Sequence, residues 1–264
     1  MVLDTLYHYT DLKGFQSIIE GKSIWASDIR YLNDYEEVKA GKRSLETIID
    51  MFDEEIGRFP HSNEVLDHLK CLQEEEITSF AVCFCRKPDL LSQWRGYGAG
   101  GTGISLGFSS QALQNIDGFT LAEISYEKDA FVTNVEKSIK KAKAKLSSPS
   151  VVDEEGRIIR DLVNEIKILC FVNKNGSFHE EAETRLFSIS GFENEIPVLY
   201  RVSGQRLVPY LSVDLSSHWR EILRCVYLGP ANDQKELLKS VNEFLHYNNL
   251  SDVEIFNSKV PYRV

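Results

Sequence analysis

Residues 6–28 read LYHYTDLKGFQSIIEGKSIWASD. LYHY has the bulky, aromatic character of a short strand. Leu12, Phe15, Ile18 and Ile19 then recur at three- and four-residue spacing, which is the apolar face of a helix. Asp11 is placed to cap the start of that helix and Gly21 suits its exit. KSIWASD returns to strand character and stops at a polar turn. Strand, helix and strand in so short a span predict an α+β beginning. The same span also gathers polar and aromatic groups that a core does not require, namely His8, Tyr9, Thr10, Trp25 and Ser27, with Asn33, Asp34 and Glu36 just beyond.

Outward from this start the periodicity changes twice. EEVKAGKRSLETIIDMFDEEIG and PHSNEVLDHLKCLQEEE read as helices and predict a helical insertion around 35–76. Strand-like runs follow in ITSFAVCFC, GTGISLGF and FTLAEISY, separated by the glycine-rich WRGYGAGGTG. KDAFVTNVEKSIKKAKAKL, the irregular SSPS and a further helix from Asp153 to Phe171 make a second helical insertion around 128–172. HEEAETRLFSI, PVLYR, RCVYLG and VEIF read as strands, with a helix across NDQKELLKSVNEFLHY. Clustered strands of this kind predict α+β architecture, with mixed or antiparallel curved sheets and flanking helices, rather than strict βαβ alternation. With no long Pro/Gly/Ser linker, residues 1–264 are expected to form a single α+β domain. Neither a G-x-G-x-x-G after a first strand nor a G-x-x-x-x-G-K-[ST] loop is present.

Composition narrows the function classes. The 30 basic and 40 acidic residues leave a net charge of −10, which argues against a surface built to wrap a nucleic-acid backbone, though a local basic pocket stays open. No charged leader precedes an apolar run and no segment of about 20 apolar residues occurs, so the expectation is a cytoplasmic protein with no membrane partner. The 5 cysteines are odd in number and lack disulfide or zinc spacing. Alternation points Cys83 and Cys85 to one sheet face, as a buried pair.

Several residues could carry chemistry. On an extended strand His8 and Thr10 project to one side and Tyr9 to the other, and an imidazole beside a hydroxyl can hold ribose hydroxyls or satisfy nearby backbone. Trp25 and Ser27 repeat that spacing and can wall a flat-ring pocket or pack in a half-buried sheet. Arg95 and Tyr97 lie in the glycine-rich stretch, where the main chain can approach a ligand closely, Arg95 can receive a phosphate and Tyr97 can cover a ring. If FHEEAETR is a strand, Glu181 and Glu183 face one side with His179 before them and Arg185 after. Such a pair suits acid–base work, including glycoside hydrolysis, a divalent-metal phosphodiesterase using Asp34, Glu181 and Glu183, or merely a solvated strand face. The histidines are too scattered to predict a metal set, and G-x-S-x-G is absent.

LYHYT, GKSIWAS, LND-x-x-E, CFCRKPDLLSQWRGYG, GISLGF, HEEAETR, YLGP and SKVPYR, in this order, resemble a family of bacterial and phage-associated proteins known as a domain of unknown function. That family in turn resembles the ADP-ribosyltransferase fold, a split pair of curved sheets. In its branch with a His, Tyr and Glu site, the resemblance implies NAD as substrate and Glu183 as the catalytic acid, with Glu181 two residues before it. It implies His8 and Thr10 on the ribose, Trp25 or Tyr97 as the stacking ring, and Arg95 or Arg185 at the diphosphate, while Ser27, if the first two strands pair, can orient a polar edge beside Trp25. The expected activity is NAD-dependent ADP-ribosyl transfer to a macromolecular or small-molecule acceptor, or NAD glycohydrolysis when water accepts, in a toxin or phage-defence setting and without a metal. A non-enzymatic nucleotide- or protein-binding module explains the same residues, and a metal-dependent nuclease is the third reading.

Overall fold

The computed structural model describes residues 5–32, 46–50, 63, 65–67, 69–70, 79–127, 130–146, 154–189, 196–231 and 233–262. Their contacts divide into two compact units. One comprises Met1–Asp28, Ser79–Glu123 and Glu180–Val264, the other Ile29–Thr78 and Ile124–His179.

The first unit is built on a 10-stranded sheet. Its strands are β1 (Thr5–Thr10), β2 (Ser23–Asp28), β3 (Ser79–Cys85), β4 (Ile104–Ser109), β5 (Thr120–Glu123), β6 (Glu183–Ile189), β7 (Leu199–Ser203), β8 (Arg206–Asp214), β9 (Leu223–Leu228) and β10 (Glu254–Asn257). They run in the order β10-β9-β4-β1-β3-β2-β8-β7, with β6 paired to β3 and β5. Among these strands β9 and β10 pair in parallel and the other described pairings are antiparallel. The fold is therefore α+β with an open, mostly antiparallel sheet.

Register decides which side chains share a face, because residues paired across strands project to the same side. Leu6, Phe84, Phe108, Leu186, Ile24 and Val213 belong to one buried apolar cluster. The helix Leu12–Gly21 adds Phe15, Ile18 and Ile19 to it, and the helix Gln234–Tyr247 adds Val241 and Leu245. Phe15 meets Phe244 edge-on at 5.4 Å, joining the two helices over this face. Full burial of each large apolar side chain contributes roughly 1.5–3 kcal/mol. Asp11 caps the first helix by accepting from the Gly14 amide, as the sequence predicts. At its other end the left-handed residue is Lys22, φ 45°, not Gly21.

The opposite face of the sheet carries most of the polar groups. Tyr7 pairs with Cys85, and Cys85 with Glu183, so these three line up across β1, β3 and β6. Arg185 pairs with Cys83 on the same side. One edge of β3 changes neighbour along its length: Cys85 faces β1, whereas Ala81 and Phe80 face β2. The sheet splits there, between the two strands read first in the sequence.

Sequence reasoning passed over β8, because Pro209 breaks its donor pattern. In the sheet β2 pairs with β8 only from Asp214 to Tyr210, so Pro209 lies past the end of that ladder and faces Tyr200 of β7. The expected strand through HEEAETR is also corrected. Gly176–Glu181 forms a 3-10 turn, Ala182 is left-handed with φ 45°, and β6 begins at Glu183. His179 therefore does not alternate with Glu183; its Nδ1 donates to the Gly176 carbonyl at 3.1 Å within the turn.

In the second unit the helices Ala130–Leu146 and Glu155–Phe171 pack together. They bury Phe131, Val135 and Ile139 on one and Ile158, Leu162 and Ile166 on the other. Of the insertion expected around 35–76, residues 46–50 are helical, with Ile48 buried. Asn33, Asp34, Glu36 and the rest of that insertion's start lie outside the described residues.

Candidate functional site

The glycine-rich stretch is first a packing device. Leu91–Gly96 is a short helix that plants Trp94 wholly inside, edge-on to Tyr9 at 4.8 Å. The indole donates to Asp89 Oδ1 at 2.7 Å, and Asp89 also accepts from Ser258 Oγ at 2.6 Å and the Lys259 amide at 2.7 Å. One carboxylate thus ties PDLLSQW to the terminal SKV. Tyr9 Oη donates to the Lys87 carbonyl and accepts from the Leu90 amide, and burial pushes its phenol well above the ordinary range. Gly103 admits no side chain, since a Cβ there would overlap the Thr10 carbonyl oxygen.

Beside this anchor lies a cleft of about 60 Å³, lined by Tyr7, His8, Tyr9, Cys83, Phe84, Gln93, Tyr97, Glu181 and Glu183. Its lining comes from both sheet faces, as the splitting of β1 from β3 requires. His8 shows how the split is sealed. By register it belongs with Leu6 and Phe84 on the apolar face, 6.0 Å from the Phe84 ring, whereas Glu183 lies on the opposite face. Its Nδ1 lies 3.0 Å from the carbonyl oxygen of Cys83, midway between the β3 residues that pair with β1 and with β2. A carbonyl only accepts, so Nδ1 carries the proton. Burial lowers the imidazole pKa, against a smaller opposing effect of that hydrogen bond. The ring is then neutral and Nε2 is an acceptor.

Glu183 and Arg185, two residues apart on β6, form a buried fork. Arg185 Nε donates to Glu183 Oε1 at 2.7 Å and Nη2 to Oε2 at 3.1 Å, with the side chains 4% and 7% exposed respectively. Glu181 reaches the same cleft from the preceding turn, across the left-handed Ala182. Cys85 remains a thiol, pushed up to about 11 by burial, which removes it as a nucleophile at neutral pH.

The remaining expected residues lie elsewhere. Thr10 occupies the space left by the missing Cβ of Gly14, beside the helix start. Trp25, 44% exposed, packs on Tyr210 at 4.6 Å with Arg201 over its ring at 5.8 Å. Ser27 accepts from Arg201 Nη2 at 3.1 Å. Arg95 is exposed over the Tyr262 ring at 5.1 Å. Cleft membership therefore falls to His8, Glu181, Glu183 and Tyr97, with Arg185 joined through its ion pair.

Sequence reasoning missed Gln93. It is 8% exposed, lines the cleft, and its carboxamide has no hydrogen-bond partner among the described residues. Its place beside Trp94 gave no signal, because neighbouring residues of a helix project in different directions. Among the described residues no group of three or more His, Cys, Asp or Glu side chains is arranged to hold a metal ion, and no helix is long and apolar enough to cross a membrane.

Comparison with known families gives a match to one described as "Protein of unknown function (DUF2971)" over residues 93–186. That span runs from Gln93 through GISLGF to Leu186, so it contains Gln93, Tyr97, Glu181 and Glu183 of the cleft lining and the Glu183–Arg185 ion pair. The curated proteins and the solved structures yield no match.

Proposed function

We propose that this cleft holds the ribose of NAD and breaks its bond to nicotinamide, as an ADP-ribosyltransferase or an NAD glycohydrolase. The observation that carries the reading is that His8 and Glu183, from distant parts of the chain, line one cleft at the split of the sheet. The lining is rich in acceptors: His8 Nε2, the carboxylates of Glu181 and Glu183, and the Gln93 carbonyl. Ribose hydroxyls are the complementary donors.

In the reaction the C1′–N bond breaks with its electron pair going to the pyridinium nitrogen, so nicotinamide leaves neutral and the ribosyl carbon turns cationic. The fixed negative charge of Glu183 favours that cation. Water adds at the carbon and loses a proton to a carboxylate, for which Glu181 is the less buried of the two; a protein side chain or a nucleic-acid base in place of water gives transfer. A space of about 60 Å³ holds a sugar edge or about two waters, below the roughly 300–1,000 Å³ of small-molecule sites. NAD therefore enters only when the cleft widens, and Tyr97, 41% exposed at its rim, is the side chain placed to move.

One observation favours a second reading, a nucleotide-binding module without turnover: both oxygens of Glu183 already accept from Arg185. Nicotinamide release separates the two. The enzyme reading expects release from NAD that falls about a hundredfold or more in Glu183→Gln, the usual scale for losing a charge that meets the transition state, with the circular dichroism spectrum unchanged. Saturable NAD binding with no nicotinamide released would overturn it in favour of the module.

A further inference from the structure

A second cavity, sharing no lining residue with the cleft, measures about 400 Å³. Three segments build it: Lys22 after the first helix, the run Ser216–Glu221 between β8 and β9, and Asn248–Leu250 after the helix Gln234–Tyr247. Its backbone is tied down. The Leu215 amide donates to the Lys22 carbonyl at 2.9 Å, Asn249 to His246 at 3.0 Å and Leu250 to Leu245 at 2.9 Å. Two non-glycine residues on its wall, Lys22 and Asn249, are held left-handed with φ 45° and 60°, a conformation that persists only where surrounding structure enforces it.

Its electrostatics run against those of the whole chain. In a protein of net charge −10, Lys22 and Arg220 both line this cavity and neither has an ion-pair partner among the described residues. The one acid in the lining, Glu221, stands 4.0 Å from His218 Nδ1. Donors in the lining include the two cations, the Ser217 hydroxyl, the Asn249 amide and the Trp219 indole, while Ser216 is bonded to the Asp214 carboxylate, its amide donating to Oδ1 at 2.8 Å. Trp219 is 6% exposed and its Nε1–H has no partner among the described residues. The Asn248 amide nitrogen is already committed to the Phe244 carbonyl at 2.9 Å.

Two cations with no ion-pair partner among the described residues, with further donors beside them, fit a doubly charged, oxygen-rich anion. The volume exceeds what a bare anion fills and falls within the roughly 300–1,000 Å³ range of small-molecule sites. We propose that this cavity binds a small phosphorylated sugar or mononucleotide, with the phosphate between Lys22 and Arg220 and the hydroxylated body toward Asn249 and Glu221. The site is separate from the cleft and independent of the NAD reading.

The test is a titration of the full chain followed through the indole N–H resonances of its 3 tryptophans. The ligands are AMP and ribose 5-phosphate, with adenosine and sulfate as controls. A saturable shift of the Trp219 resonance by AMP or ribose 5-phosphate is expected, while Trp94, bonded to Asp89, stays in place. Arg220→Glu and Lys22→Gln, both at polar positions outside the core, should each weaken binding by about tenfold or more, the scale of one lost charge-assisted contact. Glu183→Gln should leave it unchanged. The proposal is overturned by no saturable shift at millimolar ligand, by equal affinity in Arg220→Glu, or by adenosine or sulfate matching the phosphorylated ligands.

Discussion

The Glu183–Arg185 fork makes the sharpest stability prediction. Its side chains are 7% and 4% exposed, so removing either partner takes a bidentate contact from a charge in a medium that solvates it poorly. Arg185→Met removes the guanidinium from which both Glu183 oxygens accept, at a cost of about 3–5 kcal/mol, a large share of the roughly 5–15 kcal/mol that holds a typical domain folded. Glu183→Leu removes the matching carboxylate from Arg185 at similar cost. Removing both as Glu183→Leu/Arg185→Met takes away the desolvation penalty along with the attraction, and is expected to be neutral or stabilising by about 1–4 kcal/mol. In urea unfolding, with a slope of about 2 kcal/mol/M, a loss of about 4 kcal/mol moves the midpoint down by about 2 M in each single variant. The double variant should return to the parent midpoint or above it. Single variants within about 0.5 M of the parent, or a double variant as damaged as the sum of the two, would refute the buried fork. The double variant also separates folding from chemistry: it should be stable and release no nicotinamide.

Two further outcomes follow from named contacts. His8 has a pKa below the ordinary 6.5 because burial disfavours its charged form, so the unfolded chain binds the extra proton first and stability falls as pH drops below about 6.5 toward the depressed folded value. His8→Gln should flatten that acid limb in urea unfolding at pH 5 against pH 7; an unchanged slope would remove His8 as its source. Asp89→Asn keeps the shape but loses a charged acceptor shared by Trp94, Ser258 and Lys259. With hydrogen bonds to charged groups worth about 1.5–3 kcal/mol each, a loss of about 2–4 kcal/mol and faster proteolysis at the C-terminal SKVPYR are expected. Proteolysis at the parental rate would count against the tie.

Much of this fold was legible because periodicity and turn chemistry agreed. The opening strand, helix and strand, the Asp11 cap and the runs that became β3, β4, β6 and β9 all announce themselves by spacing. β8 hid because Pro209 is disqualifying in a central strand, and only the early end of β2 makes it harmless. The site was half legible. His8, Glu181, Glu183 and Tyr97 could be named from residue type, yet their faces could not be assigned. His8 enters the cleft by filling a split in the sheet rather than by simple alternation, and Glu181 enters through a turn at Ala182. Gln93 was invisible because an isolated glutamine carries no periodic or motif signal. Trp25 and Arg95 had the right chemistry, but they reside on other parts of the surface, beside Arg201 and Tyr262.

The most direct measurement is a crystal structure of the protein soaked with NAD. One ribose is predicted to donate to His8 Nε2 and to the carboxylate of Glu183 at hydrogen-bond distance, about 2.6–3.2 Å, with Gln93 gaining the partner it lacks and Tyr97 displaced to admit the nucleotide. NAD seated elsewhere, with the cleft still closed and Gln93 still unpaired, would contradict the account.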